Sequence, residues 1–266
     1  MKISAVTSLL ESLAPPAFQE DYDNSGLQTG DLEKECSGVL VSLDTTEAVI
    51  EEAVQKGCNL LISHHPLIFH GLKQISRETG TGKAILTAVK NDITVYAIHT
   101  NLDNVLPGVS STIADKLGLR NRSILAPKPP GETGGLQEAG SGLIGNLERP
   151  LAEKQFLDLL REKFGVPVVR HSPLTGKAVN RVALCGGSGS FLIPNALAQG
   201  ADFFVSADIR YHSFFEAEGS LVIADIGHYE SEQFAVDLLC DVILKKFPNF
   251  AVLKAGTATN PVHYYL

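Results

Sequence analysis

The sequence has no uninterrupted apolar segment that approaches the roughly 20 residues needed to cross a bilayer as a helix. Its N-terminus, MKISAVTSLLESLAPP, carries an acidic residue and prolines where a signal peptide would need a continuous apolar stretch. Membrane-spanning and secreted proteins are therefore both disfavoured. We expect a cytoplasmic protein with no membrane association.

Cysteine is scarce, and none of its spacings forms a CxxC pair. The four cysteines, Cys36, Cys58, Cys185 and Cys240, are widely separated, and three of them lie in apolar segments. This spacing opposes a disulfide framework, a zinc knuckle and a thiol-based redox function. We expect four buried, reduced thiols.

Basic residues are outnumbered by acidic ones, 22 against 30, which gives a formal net charge of -8. No stretch rich in Lys and Arg with interleaved aromatic residues offsets the resulting repulsion from phosphate backbones. General nucleic-acid binding is therefore disfavoured. What the chain does have is ordinary globular composition, 44% hydrophobic and 20% charged, over 266 residues. That length is enough for one large domain or two lobes.

The first half of the sequence alternates helix-like and strand-like segments. Apolar residues at helical spacing predict an opening helix that ends at Pro15-Pro16, and a polar loop, DYDNSGLQTGD, follows. Apolar strands are predicted at residues 38–44, 59–63 and 93–99, with helices between and after them. This order predicts a largely parallel sheet that is covered on both faces.

The second half repeats this order after a segment rich in glycine and proline at residues 126–142. Strands are predicted at residues 166–170, 181–186, 202–206 and 221–225, with helices between them and a long helix at 230–246. The Gly/Pro segment predicts a linker between the lobes. The predicted fold class is α/β, with an N-terminal lobe at residues 1–125 and a C-terminal lobe at residues 143–266.

Candidate metal ligands follow two strands of the first lobe. His64 and His65 come directly after one strand, while His99 and Asp103 come at the end of the next strand and in the loop after it. Ligands of open α/β sheets collect beyond the carboxyl ends of the strands. The turn expected at Pro66 lets the two adjacent imidazoles diverge toward two neighbouring ions. A surface histidine pair without a role is the alternative.

The second lobe offers His228 and Glu232 at the start of the long predicted helix. Four residues are about one helical turn, so an imidazole and a carboxylate on one helix face can converge on one ion. A capping histidine and a glutamate favoured by the helix dipole would give the same pattern. Both interpretations stay open from this segment alone.

Taken together, the two lobes supply imidazole and carboxylate ligands for two divalent ions: His64, His65, Asp103, His228 and Glu232. Such mixed nitrogen and oxygen donors suit ions of the zinc, manganese, iron or nickel class. A water molecule shared by two cations becomes hydroxide near neutral pH. The two lobes, with mixed, mostly parallel sheets, would pack around this dimetal cleft.

Weaker candidates lie outside this set. His99 is interpreted as a residue that orients a ligand or substrate, or as an ordinary strand-end histidine. His212 is interpreted as a proton donor or substrate contact, or as an ordinary histidine at a helix start. CGGSG at residues 185–189 could cradle a phosphate, but it lacks the lysine of a Walker loop, and a tight packing turn is favoured. Surface or structural positions are expected for His70, His171 and His263.

Several longer motifs occur in one order: YDNSGL followed by Gly30, SHHP, HTNLD, CGGSG and GHYESE. In these motifs the chain resembles, over nearly its whole length, the NGG-interacting-factor-three-like family, many of whose members carry the name GTP cyclohydrolase I type 2 homologue. The first family motif usually has tryptophan where this chain has Tyr22. Longer relatives insert a further domain between the lobes, where this chain has residues 126–142.

The resemblance implies a role for each ligand. His65, Asp103 and His228 would hold one ion, His64 would reach the other, and Glu232 would bridge the two. It also implies assembly as a homohexamer, a trimer of dimers, with the sites facing an internal cavity. The implied substrate is GTP or another small metabolite related to a nucleotide.

The leading functional hypothesis is a metal-dependent hydrolase, GTP cyclohydrolase-like or phosphoesterase-like, that acts through a metal-bridging hydroxide. Glu232, or a histidine such as His99 or His212, would move protons or contact the small-molecule substrate. The alternative is a non-enzymatic metal-binding scaffold or regulatory adaptor, in which the ions mainly fix the two lobes against each other.

Overall fold

The computed structural model describes residues 1–129 and 138–265. The chain divides into two compact units. Unit 1 comprises Met1–Leu102 and Ala235–His263, and unit 2 comprises Asp103–Phe234 and Tyr264–Leu266. The chain therefore leaves unit 1 after Leu102, returns to it at Ala235, and leaves it again after His263.

Both units combine strands and helices. The strands are β1 (Gly26–Thr29), β2 (Val39–Ser42), β3 (Leu60–Ser63), β4 (Thr94–Ala97), β5 (Arg120–Pro127), β6 (Gly140–Ala152), β7 (Arg170–His171), β8 (Ala178–Ser188), β9 (Phe203–Ala207), β10 (Val222–Asp225) and β11 (Val252–Lys254). The α-helices are α1 (Ile3–Leu13), α2 (Glu47–Gln55), α3 (Gly80–Lys90), α4 (Thr100–Asp103), α5 (Val109–Lys116), α6 (Glu153–Phe164), α7 (Ile193–Ala198), α8 (His228–Glu232) and α9 (Ala235–Lys246). Short 3₁₀ segments lie at Pro16–Phe18, Ser190–Leu192 and Tyr211–Ala217. None of the helices in the described ranges combines the length and apolar character needed to cross a bilayer.

The sheet of unit 1 has the strand order β1-β4-β3-β2-β11. β1 runs antiparallel to β4, and the other neighbours are parallel. Leu40, Leu61 and Val95 on one face of this sheet pack against α2 and α3, whose Ile50 and Ile85 belong to the same apolar cluster. Every position of β2, β3 and β4 is buried, which explains why these strands are mostly apolar and show no polar alternation.

The sheet of unit 2 has the order β5-β6-β8-β9-β10-β7 and is mixed. β8, β9 and β10 are parallel neighbours, whereas β5, β6 and β7 join by antiparallel pairings. Val182 and Leu184 of β8 enter one apolar cluster with α5 and α6. Ala183 and Cys185 enter the opposite cluster with α7. Successive side chains of a strand point to opposite faces, so this sheet has a core on each side.

The α/β class and the two mixed sheets agree with the prediction, but the units divide the chain at other positions. The predicted linker at residues 126–142 falls within unit 2, where its first residues belong to β5 and its last to β6. These two strands pair antiparallel, so the ends of the Gly/Pro-rich segment belong to a sheet and do not separate lobes. Residues 130–137 lie outside the described residues.

The helix predicted at residues 230–246 is two helices that belong to different units. α8 ends at Glu232 in unit 2, and α9 begins at Ala235 in unit 1. α9 packs on α1, β2 and β11, and because of these contacts the segment from Ala235 to His263 belongs to unit 1. Gln233 and Phe234, which separate the two helices, include no glycine or proline, which is why the sequence indicated one helix.

Glu52 of α2 anchors the C-terminal part of unit 1. Its carboxylate accepts hydrogen bonds from the backbone N–H groups of Gly256, at 2.7 Å, and Thr257, at 2.8 Å, and from Lys56 Nζ at 2.6 Å. Burial alone would raise the pKa of this carboxyl, but the hydrogen bonds outweigh burial and lower the pKa from 4.5 to about 2. The charged form of Glu52 therefore stabilises the folded state.

Replacing Glu52→Gln should lower the free energy of unfolding at pH 7 by about 1–3 kcal/mol, because two backbone donors lose a charged acceptor. The folded pKa lies below the unfolded value, so the stabilisation is complete above a pH of about 4.5 and is lost as the pH falls toward about 2. Urea unfolding across this pH range measures the difference, with exposed Glu51→Gln on the same helix as control. A difference between wild type and Glu52→Gln that stays constant down to pH 2 would contradict this account.

Candidate metal centre

His64 lies at the carboxyl end of β3, where the chain continues beside the end of β2. Its backbone N–H donates to the Ser42 carbonyl at 3.3 Å, and its side chain is fully buried. Nδ1 of His64 lies 2.9 Å from the carbonyl oxygen of Ile98. A carbonyl can only accept, so Nδ1 carries the proton and Nε2 carries the lone pair that a metal ion requires.

His65 is held in the same way by a carboxylate. Its Nδ1 lies 2.7 Å from Asp44 Oδ1, and Asp44 Oδ2 accepts a hydrogen bond of 2.6 Å from Thr259 Oγ1. Asp44 follows β2, the parallel neighbour of β3. The carboxylate fixes the orientation of the ring and strengthens Nε2 as a donor to a metal ion.

His99 follows β4 and is held by Asp23 from the loop that precedes β1. His99 Nδ1 lies 2.7 Å from Asp23 Oδ1, and the Asp23 side chain is fully buried. Burial would raise the pKa of this carboxyl, but hydrogen bonds from His99, Thr100 and Ser25 outweigh burial and hold the pKa well below its usual range. Asp23 is therefore a carboxylate that accepts a hydrogen bond from His99 Nδ1, which leaves Nε2 as the nitrogen that can face a metal ion.

The three histidines of unit 1 form one group. The ring centroids are 5.0 Å apart for His64 and His65, 5.2 Å for His64 and His99, and 5.4 Å for His65 and His99. One ligand nitrogen from each residue lies within 4.8 Å of the others. Three oriented imidazoles suit borderline divalent ions, so this group could hold a metal ion.

A cavity of about 480 Å³ lies beside His65 in unit 1. Asp44, Thr46, Lys83 and Thr259 are among its lining residues. Its volume is in the range of small-molecule sites, roughly 300–1,000 Å³. The cavity therefore offers space for a small molecule beside His65.

In unit 2, the predicted pairing of His228 with Glu232 is present on α8. His228 Nε2 lies 2.9 Å from Glu232 Oε2, while His228 Nδ1 lies 2.7 Å from Asp208 Oδ2. A neutral imidazole has one N–H and cannot donate to two carboxylates at once. Both nitrogens can therefore face carboxylates only if the ring carries a second proton or if a metal ion lies between one nitrogen and its carboxylate.

Asp103 and Glu232 both lie near the thiol of Cys185. Burial raises the pKa of this thiol, and the negative charges of Asp103 and Glu232 raise it further. Two carboxylates close to one buried sulfur create a negative electrostatic potential, and a bound cation would stabilise these charges. These two carboxylates could therefore take part in holding a metal ion.

The CGGSG turn at residues 185–189 is a packing turn, as favoured above. Gly187 N donates to Ser231 Oγ at 2.9 Å, and Gly189 N donates to Ser206 Oγ at 3.0 Å, so these groups are directed at serines and not at an anion. Gly187 has a φ of +61°, and a Cβ atom there would lie 2.1 Å from Glu232 Oε1. The turn positions Glu232 by close backbone approach.

Other sequence candidates lie elsewhere. His212 lies on the exposed 3₁₀ segment Tyr211–Ala217, with its ring 5.2 Å from Tyr211 and 6.4 Å from Phe215, and its catalytic role stays a prediction. His70, His171 and His263 are all exposed. The expectation of reduced, buried thiols is confirmed for all four cysteines.

Three aspartates that orient the imidazoles were missed by the sequence analysis: Asp23, Asp44 and Asp208. For Asp44 and Asp208 a signal was present, because each stands just beyond a strand, β2 or β9, that has a parallel neighbour carrying a candidate histidine. Asp23 belongs to the YDNSGL motif, but nothing in its spacing points to His99.

Known proteins similar to this chain share both its sequence and its fold. The family model for DUF34/NIF3 (NGG1p interacting factor 3) matches residues 1–261. A GTP cyclohydrolase 1 type 2 homolog from Clostridium perfringens is 35% identical over 87% of each chain. One from Clostridium acetobutylicum is 32% identical over 97% of this chain and 94% of its own.

Solved structures extend this similarity. A Bacillus cereus protein related to NIF3 has a TM-score of 0.91 at 26% identity, covering 100% of this chain and 99% of its own. A Staphylococcus aureus hypothetical protein has a TM-score of 0.90 at 30% identity with the same coverage. The chain belongs to the DUF34/NIF3 family.

Proposed function

We propose that this chain is a cytoplasmic, metal-dependent hydrolase that holds two divalent ions of the zinc, iron, manganese or nickel class. Its substrate is a nucleotide or a related small metabolite. The proposal rests on one observation: Nδ1 faces an oxygen in three neighbouring imidazoles of unit 1 and in His228 of unit 2, which lies beside the Glu232 carboxylate. Relatives named GTP cyclohydrolase 1 type 2 homolog support the substrate class.

The proposed ligand set is the one that the family resemblance implies. In this proposal His65, Asp103 and His228 would hold one ion, His64 would reach the second, and Glu232 would bridge the two. The geometry of unit 1 adds a further role for His99, whose ring lies with the other two histidines. It serves as an additional ligand or orients the substrate beside the ions.

Two bound divalent ions supply Lewis acidity and lower the pKa of water, which is the chemistry that hydrolysis needs. The chain's own residues orient the ligand rings and move protons near the ions. Asp44 and Asp23 hold the rings of His65 and His99 at Nδ1, so that neither ring turns away. The Glu232 carboxylate, 2% exposed, is shielded from bulk water and is the group proposed to move a proton. His212 is exposed and is proposed as a proton donor or substrate contact.

His65→Ala and Glu232→Ala should each reduce the metal content from about two ions per chain to one or fewer, because each removes a direct ligand. The measurement is elemental analysis of protein purified without chelators and without a metal-binding tag. His263→Ala, at an exposed histidine, is the matched control and should retain the metal. Full metal content in both ligand variants would contradict the assignment.

The same variants separate the two functional hypotheses. For an enzyme, both substitutions abolish the activity that metal-loaded wild type shows on a panel of nucleotides and phosphoesters, and the fold remains intact by circular dichroism. For the scaffold or adaptor alternative, wild type shows no activity on the panel, and the variants lose thermal stability or assembly when the metal is lost.

Gly187→Ala should also weaken metal binding, although residue 187 offers no ligand atom. The added Cβ meets Glu232 Oε1 at 2.1 Å and displaces that carboxylate. Gly200→Ala is the matched control, since Gly200 has a similar φ of +67° and open space around its Cβ position. Both variants should cost about 1 kcal/mol of stability from left-handed strain. Titration with zinc against a chromogenic chelator should show weaker binding for Gly187→Ala alone, and equal affinities would refute the positioning role.

The proposed assembly is a homohexamer built as a trimer of dimers, with the sites facing an internal cavity. This proposal rests on the family resemblance. Light scattering coupled to size-exclusion chromatography should give six chains per particle at micromolar concentration. A monomer or an isolated dimer under these conditions would contradict it.

A further inference from the structure

Two aromatic side chains of unit 1 are exposed next to the histidine group. The Tyr22 side chain is 62% exposed and that of Phe69 is 38% exposed. Their ring centroids are 6.3 Å apart with an interplanar angle of 44°, and the Phe69 ring lies 6.0 Å from the ring of His99. An aromatic surface therefore adjoins the group that we propose to hold metal.

The backbones beneath these rings are firmly held. Tyr22 immediately precedes Asp23, whose buried carboxylate bonds to His99 and Thr100. Asn24 Nδ2 donates to the Ile68 carbonyl at 2.6 Å, which ties the loop of Tyr22 to the loop of Phe69. The two rings are thus presented to solvent by an ordered support, which limits the entropy lost when a ligand binds.

Exposure of two fixed aromatic rings leaves apolar area in water, and such patches mark binding sites when they adjoin polar functional groups. Neither ring stacks face to face on the other, because their planes are tilted. The Phe69 ring also lies 4.7 Å from the ring of His70 at an interplanar angle of 75°, and the exposed fraction of each side chain leaves surface that a planar partner can contact. Aromatic side chains can bind any nucleobase by stacking, because every base has a π-face whatever hydrogen-bond donors and acceptors lie on its edges.

We propose that Tyr22 and Phe69 form an aromatic shelf that stacks with the planar heterocyclic ring of the substrate. The proposal rests on the proposed function and deepens it, because it identifies the substrate as a compound with a planar aromatic ring beside the group that reacts. The shelf is a binding and specificity element. It contacts the ring, while the reacting bond lies at the histidine group.

The chain contains no tryptophan, so Tyr22→Trp introduces a single fluorescent reporter at the shelf. Guanosine 5′-monophosphate should quench its emission in a saturable manner, and ribose 5-phosphate, which lacks the base, should not. Tyr211→Trp is the matched control, since Tyr211 is 70% exposed and belongs to unit 2, where its ring lies 5.5 Å from the ring of Phe215. Equal, non-saturating quenching of both reporters would overturn the proposal, as would equal responses to the two ligands.

Phe69→Ala tests the second ring on the wild-type background by calorimetry. The affinity for guanosine 5′-monophosphate should fall at least about fivefold, the lower end of what loss of one base-stacking side chain causes. Leu72→Ala, at a neighbouring apolar side chain that is 44% exposed, should leave the affinity within about twofold. An unchanged affinity for Phe69→Ala, or an equal loss in both variants, would overturn the shelf.

The titrations are run on chelator-treated protein and again after zinc is added. Stacking does not require a metal ion, so saturable binding to chelator-treated protein supports the shelf even if hydrolysis is never observed. Metal-dependent hydrolysis of substrates without an aromatic ring, together with no base-dependent quenching, would leave the proposed function standing and remove the shelf.

Discussion

The candidate centre depends on one interaction, the hydrogen bond between histidine Nδ1 and a fixed oxygen. It occurs at four imidazoles, with these acceptors: the Ile98 carbonyl for His64, Asp44 for His65, Asp23 for His99 and Asp208 for His228. Each acceptor selects the tautomer and the ring orientation, so that Nε2 is presented as the ligand atom. Without these oxygens the rings could adopt several rotamers, and the conformational entropy lost on ordering them would reduce the affinity for a metal ion.

The sheets of both units supply these acceptors by the same geometry. In unit 1, Asp44 follows β2 and His65 follows β3, and these strands are parallel neighbours in register. In unit 2, Asp208 follows β9 and His228 follows β10, which are again parallel neighbours. Parallel strands bring their carboxyl ends to one edge, so an acid after one strand meets a histidine after the next. Asp208 has a φ of +53°, a conformation that aspartate tolerates better than most residues.

This geometry explains which parts of the structure the sequence could predict. Local patterns identified α1, which ends at Leu13 just before the predicted stop at Pro15-Pro16, and the apolar strands of unit 1 within one or two residues. The close approach of His228 and Glu232 followed from helical spacing. The antiparallel pairing of β5 with β6 and the return of β11 to unit 1 could not be predicted, because they are long-range pairings between segments without strict alternation. Of the aspartates that orient the imidazoles, Asp23 could not be predicted from its spacing, whereas the positions of Asp44 and Asp208 just beyond parallel strands did carry a signal.

The position of Glu232 shows why spacing on a helix is insufficient by itself. α8 has five residues, too few for a helix to be stable through its own hydrogen bonds. Its position is set from outside, because Ser231 Oγ accepts from Gly187 N and donates to the His228 carbonyl. The absence of a Cβ at Gly187 then leaves room for the Glu232 carboxylate. The functional geometry of this helix therefore comes from tertiary packing on the CGGSG turn, and the histidine and the glutamate are ligand candidates because that turn holds them together.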